Sequence, residues 1–135
     1  MREERLRLED IREAIGQIES YTEGGRSVFL DSRLVQDGVI RNFEIIGEAV
    51  KGLRQSTCAA HPRIPWSDFA RFRDVLIHGY FKLQIDFIWR AVEADLPPLK
   101  RVIVRLLKGK TKRRAPEGIR KPAKKRSPSR KKKSG

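Results

Sequence analysis

Apolar residues recur at helical spacing through the first 108 residues. Leu8, Ile11, Ile15 and Ile18 fall 3, 4 and 3 apart, one stripe of a helix predicted near residues 4–22. Gly24-Gly25 should end it. Val39, Phe43, Ile46, Val50 and Leu53 follow at spacings of 4, 3, 4 and 3, predicting a second helix from about 30 to 56. Gly38 and Gly47 lie inside it at a cost of roughly 1 kcal/mol each relative to Ala. For Gly47 the expected reason is close approach of a neighbouring helix. His61-Pro62-Arg63-Ile64-Pro65 reads as a loop, because proline and the residue before it resist helical geometry. Pro65 suits the first position of a third helix, with Asp68 in its first turn. Phe69, Phe72 and Leu76 would be its buried stripe and Gly79 its end. A fourth helix is predicted over 83–94, with Ile85, Ile88, Trp89 and Val92 apolar. Leu96-Pro97-Pro98 should break it, and Leu99, Val102, Ile103 and Leu106 mark a fifth. No segment reads as a strand. The pattern predicts an all-α bundle of four to five helices with short loops.

Charge divides the chain. Of its 135 residues, 31 are Lys or Arg and 17 Asp or Glu, for a formal +14. Residues 109–135 carry thirteen of the basic groups and one acid, Glu117, a net of +12, whereas residues 1–108 carry +2. The expected organisation is a helical domain over 1–108 and a disordered Lys/Arg-rich tail over 109–135. A single cysteine, Cys58, excludes an internal disulfide and a Cys-rich zinc site. There is no run of about 18 apolar residues to span a bilayer. Met1-Arg2-Glu3-Glu4-Arg5 leads into no apolar segment of the kind a signal peptide needs. A cytoplasmic location without membrane association is expected, with a small core that dimerisation would help to stabilise.

Two histidines occur, His61 and His78. His61 reads as an exposed loop residue. Neither His has a metal-ligand spacing to another His or Cys, so no metal and no cofactor are expected. No phosphate-binding glycine loop or nucleophile elbow is present. His78 stands in Arg71-Phe72-Arg73-Asp74-Val75-Leu76-Ile77-His78-Gly79-Tyr80-Phe81. On a helix, Asp74 shares a face with His78 and can orient its imidazole. Arg73 is about 140° away around an ideal helix, so only its long side chain, or a twofold mate, would bring the guanidinium beside the imidazole. As chemistry, this is an Arg for a phosphate, a His to move a proton and a carboxylate to fix the tautomer. With the 2′-hydroxyl of RNA as nucleophile these suffice for cleavage without metal. The plainer alternative is that Arg73 and Asp74 are surface charges and His78 bonds a carbonyl at a helix end.

Arg73-x4-His78-x-Tyr80 resembles the R-x4-H-x-Y motif of HepT-like toxins of the HEPN superfamily. Arg41-Asn42-Phe43-Glu44-Ile45-Ile46-Gly47-Glu48-Ala49 is similar to that family's second-helix segment. Ile64-Pro65-Trp66, Tyr80-Phe81, Trp89 and Asp95-Leu96-Pro97-Pro98-Leu99 follow in the family's order, so the likeness covers residues 4–107. The basic tail is not part of it. The resemblance implies a helical homodimer that sets two motifs in one cleft and supplies the partner Arg. It implies a metal-independent ribonuclease toxin acting on RNA such as tRNA or mRNA, with Arg73 and His78 catalytic and Asp74 supporting. It also implies a nucleotidyltransferase antitoxin of the MntA type that transfers AMP to Tyr80 and so blocks the cleft.

Glu44 and Glu48 share a helical face, but ion pairing with Arg41 or Lys51 accounts for them. Arg41 and Asn42 could border the cleft. Trp66, Trp89 and the Phe stripes read as core rather than as platforms for bases. Lys124-Lys125-Arg126 and Arg130-Lys131-Lys132-Lys133 form a cationic run suited to phosphate backbones without sequence readout. Two further function classes stay open: a non-catalytic helical partner-binding module, and a nucleic-acid binder driven by the tail.

Overall fold

The computed structural model describes the backbone of residues 2–72 and 81–118 and the side chains of residues 3–72 and 84–109. All regular structure among the described residues is helical. The helices are α1 (Arg2–Tyr21), α2 (Gly25–Asp31), α3 (Arg33–Lys51), α4 (Gln55–Ala59), α5 (Trp66–Ala70), α6 (Phe81–Arg90) and α7 (Leu96–Gly118). One π-helical turn, Ala91–Asp95, joins the last two. Contacts divide the chain into residues 1–104 and 105–135.

The predicted α1 stripe is the centre of the core: Leu8, Ile11, Ile15 and Ile18 are fully or almost fully buried. They face α3, the most extensive pairing in the fold, through Val39, Phe43, Ile46 and Val50. Each such buried large apolar side chain contributes roughly 1.5–3 kcal/mol. Ile88, Leu99 and Ile103 complete the core. After α1, the Thr22 hydroxyl donates to the Ile18 carbonyl at 2.8 Å, and Gly25 takes the left-handed backbone (φ 87°) that turns the chain into α2.

Three expectations need correction. The helix expected from 30 to 56 is three pieces, because Ser32 leaves helical geometry (φ −117°, ψ 109°). Its hydroxyl accepts the Val35 N–H at 3.1 Å and caps α3. Buried Gln36 donates to the carbonyls of Phe29 and Leu30 at 2.9 and 3.1 Å, satisfying the end of α2. Gly52 ends α3, and α4 starts again after Arg54. The third helix begins at Trp66, with Pro65 as its cap rather than its first residue, and is interrupted at Arg71. Phe69 and Phe72 are buried as expected; Leu76 and Gly79 lie outside the described residues.

The third correction concerns Leu96-Pro97-Pro98, which does not break the helix. The Leu96 N–H reaches five residues back to the Ala91 carbonyl. This wider turn lets two residues without N–H groups begin α7, where the backbone lacks helical partners in any case. The α7 backbone then stays helical to Gly118, beyond the boundary expected at 108. The expected disorder of 119–135 concerns residues outside those described.

Two features fix the packing locally. A Cβ on Gly47 would lie 2.5 Å from the Phe69 carbonyl oxygen, so α5 can approach α3 only over a glycine, as the sequence suggested. Glu4, 3 % exposed, accepts the Arg54 N–H and the Thr57 hydroxyl at 2.8 Å each, and Arg54 Nε at 3.3 Å. One buried carboxylate thereby ties the start of α1 to the start of α4.

Candidate active site

Arg73, Asp74, His78 and Tyr80 lie outside the described residues; their two flanks do not. Phe72, immediately before Arg73, is buried. Its ring stacks on Phe43 of α3 (centroids 4.5 Å apart, 20° between planes) and on Phe87 of α6 (5.6 Å, 29°). Phe43 also stacks on Phe69 at 6.4 Å. Offset aromatic pairs at such separations add about 0.5–1.5 kcal/mol beyond burial. The chain therefore enters the motif from a ring locked between two helices. On the other side Phe81, next after Tyr80, opens α6.

The entry is also charged. Arg71 donates to Asp68 at 3.2 Å. Burial, and then the negative charge of Asp68, push the Asp95 carboxyl above the usual carboxylate range. Asp95 closes the π-helical turn, a distortion that often marks functional sites. Sequence reading placed Asp95 within a family-like segment but gave it no task.

Other candidates are resolved by their contacts. Glu48 lies 4.0 Å from Lys51 Nζ and Glu44 lies 3.8 Å from Arg41, the pairing expected of them. Along with Arg7, Asp10, Ile45 and Ala49 three of these residues, Arg41, Glu44 and Glu48, line an open pocket of about 430 Å³ between α1 and α3. Its charges are mixed, and it offers no single-signed surface to a phosphate. Asn42 is buried and donates to the Gly38 carbonyl at 2.9 Å, so it acts within α3; Arg41 stays at the surface. His61 is half-buried in its loop, and its carbonyl accepts the Trp66 indole N–H at 3.0 Å. Trp89 is core, packed on Phe29 with centroids 5.2 Å apart.

Burial, and then the charge of Glu4, push the Cys58 thiol up, which makes it a poor nucleophile at neutral pH. Among the described residues no three His, Cys, Asp or Glu side chains gather as a metal site would require. None of the helices there is long and apolar enough to cross a membrane. The residue that sequence reading missed is Phe87. It stands outside the apolar set read for its helix (Ile85, Ile88, Trp89 and Val92) and is 42 % exposed.

Residues 11–106 match a family described as ribonuclease HepT-like. A protein of Thermococcus cleftensis named "Probable ribonuclease HepT" is 45 % identical over 97 residues, which are 69 % of this chain and 86 % of that one. A Methanocaldococcus jannaschii protein named "Gamma-glutamylcyclotransferase and putative RNase" is 39 % identical over 104 residues, 76 % of this chain and 47 % of its own length. A second protein of that organism, named "Putative RNase", is 30 % identical over 97 residues, 71 % of this chain and 89 % of the relative. No solved structure matches the chain. The match covers the α1–α3 core, the aromatic flank at Phe72 and the Arg73-x4-His78-x-Tyr80 segment together, and the chain belongs to the HepT-like family of ribonucleases.

Proposed function

We propose that this ribonuclease is the toxin of a toxin–antitoxin pair and cuts RNA without a metal ion. The supporting observation is the Arg73-x4-His78-x-Tyr80 sequence inside the family match at residues 11–106, entered from a ring fixed between α3 and α6. His78 takes the proton of a ribose 2′-hydroxyl, and the 2′-oxygen attacks the adjacent phosphorus. The bond to the 5′-oxygen breaks, and that oxygen leaves with a proton from the protonated imidazole of the facing motif or from water. The products are a 2′,3′-cyclic phosphate and a free 5′-hydroxyl. Arg73 neutralises the charge that builds on the phosphorane oxygens, and Asp74 holds the imidazole tautomer.

Doubling of the motif across a homodimer supplies the Arg–His proximity that one helix denies. A nucleotidyltransferase antitoxin of the MntA type silences the enzyme by placing AMP on Tyr80. That puts a phosphate and a nucleoside into the groove meant for an RNA phosphate. Incubating the purified protein with total RNA in EDTA, beside His78→Ala, tests the reading. Cleavage by the wild type alone, leaving cyclic phosphate ends, supports it. Equal cleavage by both would sink it.

A further inference from the structure

Among the phenylalanines with described side chains, Phe29, Phe43, Phe69 and Phe72 are buried and Phe87 is at the surface. Phe87 is not an isolated apolar residue. Its ring stands on Phe72, the residue before Arg73, with centroids 5.6 Å apart. Phe72 stands in turn on Phe43 at 4.5 Å. A surface ring supported by two stacked, buried rings is held in orientation, with the remainder of its surface left to solvent.

Charged side chains are among its described neighbours. Arg90, three residues on and therefore on the same face of α6, is exposed and makes no ion pair among the described residues. Arg26 reaches Asp86, the neighbour of Phe87, at 3.8 Å, with both side chains largely in water. Among the described side chains of α6, Phe87 is the exposed large apolar one, and it stands beside guanidinium groups. Together they have the composition of a platform for a base with cations for the backbone.

Resting on the proposal that Arg73 and His78 form the cutting centre, we infer that Phe87 stacks a base of single-stranded RNA next to the scissile phosphate, with Arg90 on the neighbouring backbone phosphate. Bases inside a duplex are already stacked and cannot turn onto a ring. The substrate class is therefore unpaired RNA: a loop, a bulge or an end.

The test compares wild type, F87L, F87Y and F87W on one oligoribonucleotide, single-stranded or annealed to its complement. F87L keeps apolar packing on Phe72 without a flat face. Its KM on the single strand should rise roughly 5- to 150-fold, the span of one lost stack, with kcat little changed. F87Y and F87W should restore the wild-type KM, and the annealed substrate should be cut poorly by every variant. A 2-aminopurine base beside the cleavage site should be quenched by wild type and not by F87L. Wild-type cleavage with an unchanged F87L KM overturns the stacking assignment and leaves the ribonuclease centre standing. A changed oligomeric state of F87L in light scattering overturns it in favour of a subunit contact. Absence of wild-type cleavage removes the centre itself, and the assignment with it.

Discussion

The Phe69 carbonyl oxygen lies 2.5 Å from where a Cβ on Gly47 would stand. The obstacle is backbone, so it cannot swing aside. Gly47→Ala should destabilise the fold by about 1–3 kcal/mol despite Ala's better helix propensity, measured by urea unfolding. Gly38 is the control. There the Cβ would meet the Tyr21 ring at 2.9 Å, and that obstacle is a side chain 40 % exposed rather than backbone. Gly38→Ala should be near neutral, or stabilise by up to about 1 kcal/mol. Similar losses at both positions would contradict the distinction.

Glu4 predicts a different kind of loss. Its carboxylate is the acceptor for two donors of Arg54 and one of Thr57, and removing it leaves the half-buried Arg54 N–H without a partner. Glu4→Ala should cost about 1–3 kcal/mol. Thr57→Val removes a single hydroxyl donor and should cost about 1 kcal/mol or less. If Glu4→Ala unfolds at the wild-type urea midpoint, the clasp contributes nothing.

How much of this was legible beforehand depends on whether one helix or several decided the outcome. The stripe from Leu8 to Ile18 and the Gly47 contact follow from a single helix's periodicity and from glycine's lack of a Cβ. Ser32 could not be read as a break, since Leu30, Leu34 and their neighbours continue a plausible helical pattern. What stops α2 is Gln36 reaching back to the Phe29 and Leu30 carbonyls, a contact that exists only once α3 has turned. Pro97-Pro98 misled in the opposite sense: the rule against proline presumes four-residue hydrogen bonds, and the turn at Ala91–Asp95 uses five. At the candidate site, residue type and spacing leave Arg73 and His78 open between chemistry and surface charge, and the resemblance to the HepT-like motif is what selects them. Phe87 was passed over because periodicity says which side of a helix is apolar, not where its neighbours stop covering it.

The cap at Ser32 has its own test. With its hydroxyl accepting from Val35 at 3.1 Å, Ser32→Ala should cost about 1 kcal/mol and Ser32→Asp should retain most of the stability. Thermal melts read both. Equal melting of all three proteins would remove the cap from the account.

Asp95 should make stability depend on pH. Its folded-state pKa is raised above 3.8 by burial, then by Asp68, so the folded chain binds this proton more tightly than the unfolded one. The group opposes folding once pH exceeds its folded pKa. That opposition fades as pH falls toward 3.8 and is absent below it. Asp95→Asn should therefore melt above wild type at pH 7, and the two should converge at pH 3. A wild-type advantage at pH 7 would mean that other contacts of the carboxylate outweigh its burial and the repulsion of Asp68.

The basic C-terminus should act on RNA binding through salt alone. Residues 119–135 contain nine Lys and Arg, no acid and no aromatic, so they meet RNA chiefly by neutralising phosphates. Each phosphate contact contributes about 0.7 to the slope of log affinity against log salt on a single strand. Truncation after Gly118 preserves the whole of α7 and should lower that slope by several units. Affinity should fall most at low salt, while kcat and the sites of cleavage stay unchanged. The comparison uses one oligoribonucleotide titrated from low to physiological salt with both proteins. Identical slopes would mean that these cations never meet the RNA.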